Sequence, residues 1–144
     1  MNAIEFLVAE HEKVRKKLSD IRVASHHYAT KKQMFEALSE DLIRHEAMEQ
    51  KVWYPYFKNN EQLRDIVKHL LAEEKDAHIE INALNKIKIE EDWNEKFKKV
   101  KESILHHAKE EESKLFPKVK KILDEAELEI IGKELREFKE NFYA

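Results

Sequence analysis

The chain has 144 residues, 40 % of them charged and 42 % hydrophobic, a length that lets one domain bury about two-thirds of its unfolded surface. One glycine (Gly132) and two prolines exclude a β-rich fold, which needs turn residues about every 8–12 positions, and the absence of cysteine excludes disulfides, thiolate zinc sites and cysteine-ligated iron–sulfur clusters. The 27 basic and 30 acidic residues are interspersed to a net charge of −3, with no basic stripe for nucleic acid or an anionic membrane.

Glu5, Glu10 and Glu12 interrupt the first apolar stretch, so it does not read as a signal peptide. No run approaches the ~18 apolar residues of a membrane span. A soluble, cytoplasmic protein with neither nucleic-acid nor membrane partners is expected.

Period and caps predict five helices. The first opens at Asn2, with Glu5 as its capping-box partner, carries Ile4, Leu7, Val14, Leu18 and Ile21, and runs to near Tyr28. Thr30-x-x-Gln33 opens the second, whose stripe includes Phe35, Leu38, Leu42, Val52 and Tyr56. After a turn at Lys58-Asn59-Asn60, the third shows Leu63, Val67, Leu71, Ile81 and Leu84. Asp92-x-x-Glu95 caps the fourth, with Phe97, Val100, Ile104, Leu115 and Val119. Asp124-x-x-Glu127 opens a shorter fifth bearing Leu128, Ile131, Leu135, Phe138 and Phe142. Pro55 and Pro117 fall inside helical pattern, and each removes a backbone donor and should bend or end its helix. Connections of about 3–6 residues make successive helices antiparallel neighbours. The expected fold is all-α, an up-down-up-down four-helix bundle with a short C-terminal fifth helix, residues 1–144 forming a single domain.

The chemistry lies in a duplicated pair. His45-x-x-x-Glu49 and His107-x-x-x-Glu111 each stand ten residues before a proline, in Trp53-Tyr54-Pro55 and Leu115-Phe116-Pro117, at one offset of 62 residues. Residues i and i+4 share a helix face about 5–6 Å apart, so each pair can aim an imidazole and a carboxylate at one point. Two copies suggest a two-metal centre. Both pairs, together with His11, Glu74 and His78, fall on the core stripes of their helices. Counting along antiparallel neighbours sets them at about one height. Buried ionisable groups cost several kcal/mol unless paired or bound to a cation. A cation with N/O ligands fits such a layer, and a pair of irons fits best. The competing reading, a metal-free His–Glu hydrogen-bond network, needs every ring nitrogen and carboxylate oxygen satisfied.

Other polar residues read as surface. His106 with Glu110 repeats the spacing but leaves the stripe, His69 lies between core positions, and only Glu111 of Glu110-Glu111-Glu112 points inward. Trp53, Tyr54, Tyr56 and Phe116 read as packing below the site. Glu49 stands where the zinc-protease H-E-x-x-H needs its second His, and no histidine follows a Glu by three residues as ferritin-like di-iron sites require.

These residues resemble the hemerythrin-like, or HHE cation-binding, family of bundle proteins. The likeness rests on His11 within Ala9-Glu10-His11-Glu12, on H-x-x-x-E followed by aromatic-Pro in the second helix, on His78, and on the stretch from His107 to Pro117. It implies that His11, His45, Glu49, His78, His107 and Glu111 bind two iron ions (Fe2+/Fe3+), with Glu49 and Glu111 bridging and an oxo or hydroxo group completing the centre. Oxygen-carrying members have H-x-x-x-H on the third helix, where this chain has Glu74-x-x-x-His78. Of about 12 coordination positions on two octahedral irons, roughly two then stay open, or about one if Glu74 also binds. Glu46 is a further candidate ligand. The departure argues against reversible oxygen carriage. The expected function is a non-heme di-iron protein that binds or senses O2, NO or peroxide at an open iron position, with Leu42, Leu71, Ile104 and Leu115 keeping the pocket dry. The alternatives are a stress enzyme or iron donor acting on nitric oxide, peroxide or damaged iron–sulfur clusters, and a metal-free interaction module.

Overall fold

The computed structural model describes residues 1–143 and, among them, contains helices and turns but no strand. Helix α1 (Ala3–Asp20) begins with the expected reciprocal cap: Asn2 Oδ1 accepts from the Glu5 amide at 2.9 Å, and Glu5 accepts from the Asn2 amide at 3.0 Å. It stops at Asp20, eight residues before the expected end, because Ile21 turns to extended backbone and buries its side chain. Helix α2 (Tyr28–Met48) has His27, not Thr30, at its N-cap, and no side chain caps it. Lys31 instead closes this corner: its ammonium is 1 % exposed, donates to the Val23 carbonyl at 3.1 Å and pairs with Glu90 at 2.9 Å.

Helix α3 spans Arg64–Lys86 and α4 spans Glu90–Glu110. Asp92 does not cap α4. It sits with Glu90 and Glu91 in the first turn, where negative charge meets the positive end of the helix dipole. Helices α5 (Phe116–Ile122) and α6 (Glu125–Asn141) follow, and α6 has the predicted Asp124–Glu127 capping box.

At both prolines the helix widens before it bends. Residues Glu49–Trp53 and Glu111–Leu115 form π-turns, in which the Tyr54 amide donates to the Glu49 carbonyl and the Phe116 amide to the Glu111 carbonyl. Proline offers no amide and crowds the carbonyl four residues back, and a wider turn relieves both. After Pro55 the chain closes in a 3-10 turn over Tyr54–Tyr56, whereas after Pro117 it continues as α5.

The result is an all-α, four-helix bundle with a C-terminal helix docked on it. Its apolar interior is split in two. One cluster joins Ala3, Leu7, Met48, Trp53, Leu63, Leu115 and Val119 with Leu128, Ile131 and Leu135 of α6. The other holds Leu18, Phe35, Leu38, Ile81, Leu84, Trp93, Phe97 and Ile104. On each of α1 to α4 the polar stripe positions fall between the two clusters. No helix among the described residues is long and apolar enough to cross a membrane.

Candidate metal centre

Two groups of donors converge in the polar layer. His11, His45, Glu49 and Glu111 can each offer one atom within 4.8 Å of the others, and so can Glu49, Glu74 and His107. Glu49 belongs to both. It begins the π-turn that follows α2, as Glu111 does after α4, so each carboxylate marks the point where its helix widens. Insertions of this kind recur at functional sites because they redirect side chains without breaking the helix.

The histidines share one orientation. His11 Nε2 faces Glu111 Oε1 at 3.1 Å, His45 Nε2 faces Glu49 Oε1 at 2.9 Å, and His107 Nε2 faces Glu74 Oε2 at 3.1 Å. Each Nδ1 points outward to another carboxylate: Glu112 at 2.6 Å from His11, Glu73 at 3.1 Å from His107, and Glu10 at 3.6 Å from His45. A carboxylate behind the imidazole fixes its tautomer and raises its basicity as a ligand. Arg15 in turn holds Glu112 at 2.9 Å, and Lys139 of α6 holds Glu10 at 2.7 Å.

Hydrogen bonding alone does not satisfy the layer. His11 Nε2, both ring nitrogens of His45, both oxygens of Glu49 and Glu111 Oε1 are buried without a hydrogen-bond partner, although several lie close to one another. Orphaned buried polar atoms are costly, and a cation at the centre would serve all the inward-facing ones. The donor set, imidazole nitrogen and carboxylate oxygen with no sulfur, suits iron, zinc or manganese.

Electrostatics agrees. Burial, reinforced by the charges of Glu111 and Glu74, pushes the Glu49 carboxyl well above the usual range, so its charge is disfavoured here and a cation would offset that cost. Glu111 goes the other way: burial opposes its charge, but Glu49, His11 and His107 outweigh burial and keep it ionised. Burial disfavours a charged His107, yet Glu74 and then Glu111 raise it to about 9. His11 is raised in the same manner by Glu111 and Glu112 against its burial.

The hemerythrin HHE cation-binding domain family matches residues 2–119. The chain belongs to that family. No curated protein and no solved structure matches it. As a hemerythrin HHE domain the chain is a cation binder, and its buried His/Glu cluster fits a metal site. Helix α6 lies beyond the matched span.

Five of the residues expected from sequence, His11, His45, Glu49, His107 and Glu111, lie in the two groups. His78 does not join them. Its side chain is 46 % exposed and points to Glu46, 3.3 Å away, while Glu74 one turn earlier on α3 occupies the buried place. Burial, then the charge of Glu74, lifts Glu46 to about 8 although His107 opposes the shift. Tyr54, read from sequence as packing, donates its hydroxyl to Glu111 Oε2 at 2.5 Å. Glu112, read as solvated, is the partner of His11. Their signal in the sequence was position alone: Tyr54 stands beside the motif proline and Glu112 beside Glu111.

A cavity of about 40 Å³ adjoins the cluster, enough for two or three water-sized molecules. His11, His45, Glu46, Glu74 and His107 line one side, and Val14, Leu42, Ala77, Ile81, Ile104 and Ala108 line the other.

Proposed function

We propose that this hemerythrin HHE domain is a non-heme di-iron protein that binds or senses O2 or a related small oxidant. The observation that carries the reading is the pair of donor groups sharing Glu49. His11, His45 and Glu111 would complete one iron site, Glu74 and His107 the other, with a bridging oxo or hydroxo group between. This set takes Glu74 in place of His78. Three imidazoles and three carboxylates supply at most about nine of the roughly 12 positions on two six-coordinate ions, so positions remain for exchangeable ligands. Bound iron would supply one-electron redox chemistry and an exchangeable position for a small ligand.

The chain's own residues supply the rest. Glu49 is fully buried, belongs to both donor groups and is the carboxylate able to serve two ions. Glu112 and Glu73 hold the outer nitrogens of His11 and His107 and so fix their orientation. Leu42, Ile81 and Ile104 give the cavity an apolar wall that favours an uncharged diatomic over water.

A second reading, a stress enzyme acting on peroxide or nitric oxide, is favoured by Tyr54. Its buried hydroxyl places a hydrogen-bond donor against Glu111, at the edge of the centre. Stopped-flow mixing separates the two, since a binder forms one stable adduct and an enzyme turns over.

The primary test is metal content with absorption spectra before and after reduction and exposure to air. Two irons per chain, falling to one or none in His45→Ala and His107→Ala, are expected. Two irons retained in both variants would remove the assignment, and metal-free wild type would return the layer to a hydrogen-bonded network.

A further inference from the structure

The cavity beside the centre shares walls with three outer clefts. Toward the cleft between α3 and α4 the common residue is Ala77, and toward the cleft between α1 and α2 they are Val14 and His45. Toward the cleft between α2 and α3 they are Glu46 and Glu74.

These walls differ in their freedom to move. Ala77 has only a methyl group, Val14 is stiff at its branched carbon, and His45 is engaged with Glu49 at 2.9 Å. Glu74 is held at both oxygens, by Gln50 at 3.2 Å and by His107 at 3.1 Å. Glu46 is held at one: His78 Nδ1 stands 3.3 Å from Oε2, its single hydrogen bond among the described residues. Glu46 also belongs to neither donor group, so it can leave the wall without disturbing the inward-facing ligands.

Release costs little. His78 is 46 % exposed and Glu46 12 %, so turning Glu46 out into the cleft exchanges one long hydrogen bond for hydration of a carboxyl group. Ile43, Leu71 and Ile79 flank the cleft outside, an apolar approach suited to an uncharged molecule.

We propose that Glu46, latched by His78, is the movable gate through which a small uncharged ligand passes from the α2/α3 cleft into the cavity. The gate stands on the cavity and the cleft, and its role in ligand entry rests on the metal reading above.

The chain has no cysteine, so one introduced thiol reports alone. Ile81 is 1 % exposed and lines the cavity. In metal-free protein, Ile81→Cys is labelled with methyl methanethiosulfonate, a small uncharged reagent. Adding Glu46→Ala should speed labelling about tenfold, and adding His78→Ala about fivefold. Ser39→Cys, buried two turns before Glu46 on α2, should keep its rate in both backgrounds. Equal rates at Ile81→Cys, or the same increase at Ser39→Cys, overturn the gate. In iron-loaded protein, association of nitric oxide followed by stopped flow should quicken about tenfold in Glu46→Ala, with iron content unchanged. An unchanged rate, or loss of iron from the variant, overturns the role in ligand entry. If wild type holds no iron, the metal reading and the entry role fall together, and the thiol rates still decide the gate.

Discussion

Tyr54 and Phe116 hold equivalent places in the two copies of the motif, 62 residues apart, and differ by one hydroxyl. That hydroxyl occupies Glu111 Oε2, while Phe116 has no hydroxyl to bring to Glu49. Burial, then the charges of Glu111, Glu49 and Glu74, push the Tyr54 phenol well up, so it stays a donor. The duplication is therefore symmetric in its ligands and asymmetric in their freedom. Tyr54→Phe, with Phe116 as precedent for the packing, should leave the fold intact and bring the affinities of the two metal steps closer together. Stepwise metal titration checks this, and an unchanged ratio would show that the hydroxyl plays no part. Glu112→Gln keeps the shape but loses the charge behind His11, and a loss of about 10–100-fold in metal affinity is expected in chelator competition. His78 shows the limit of stripe counting. Positions 74 and 78 lie one turn apart on the same face of α3, and both read as inside. Only the packing of α2 and α3 determines that Glu74 is enclosed and His78 stays at the edge with Glu46.

At the scale of elements, the π-turns are what periodicity could not foresee. An extra residue in each turn shifts the face presented after Glu49 and Glu111, which explains why Trp53 and Tyr54 are buried and Tyr56 is 48 % exposed, although Tyr56 continues the ideal stripe. The prolines flagged the irregularity but not its form. Helix α6 docks through Leu128, Ile131 and Leu135, through Arg136 on the Met1 carbonyl, and through Lys139 on Glu10. Burial opposes the charge of Glu10, but His45 and Lys139 outweigh it and hold the carboxyl at about 2. Gly132 lets α6 approach the start of α1 closely: a Cβ there would stand 2.8 Å from the Met1 carbonyl oxygen and 2.9 Å from the Ala3 nitrogen. Backbone cannot swing aside as a side chain can. Gly132→Ala should destabilise the protein by about 1–3 kcal/mol in denaturant titration, with earlier proteolytic cutting within α6. An unchanged midpoint would mean that α6 docks more loosely than the geometry requires.

Across the whole molecule, two apolar clusters enclose one polar layer, so the stability of the bundle depends on what fills that layer. Removing metal with a chelator should lower the thermal midpoint, because ions bound only by the folded state stabilise it by mass action. The pH response should then differ between the two forms. In metal-free protein His107 is raised from 6.5 to about 9, with Glu74 and Glu111 outweighing burial. The stability this contributes is fully present below about 6.5 and is lost as pH rises through about 9. Metal binding runs the other way, since protons compete with the cation for its ligands and affinity grows with pH. The gap between metal-loaded and metal-free midpoints should widen from pH 6.5 to 9.5. A constant gap in thermal scans would mean that the inward-facing groups of the layer do not exchange protons for metal.

The sequence by itself determined the all-α architecture, the antiparallel order, the two capping boxes of α1 and α6, and the polar interruption of four apolar stripes. These are local or periodic properties, written in spacings of three and four residues and in one repeated offset. Tertiary structure alone decided which turn of α3 enters the layer, that Tyr54 reaches Glu111, and that Glu112, Glu73 and Glu10 stand behind the histidines. Each depends on distances between residues far apart in the chain, set by how helices pack and where they widen, and no spacing within a single helix contains that information.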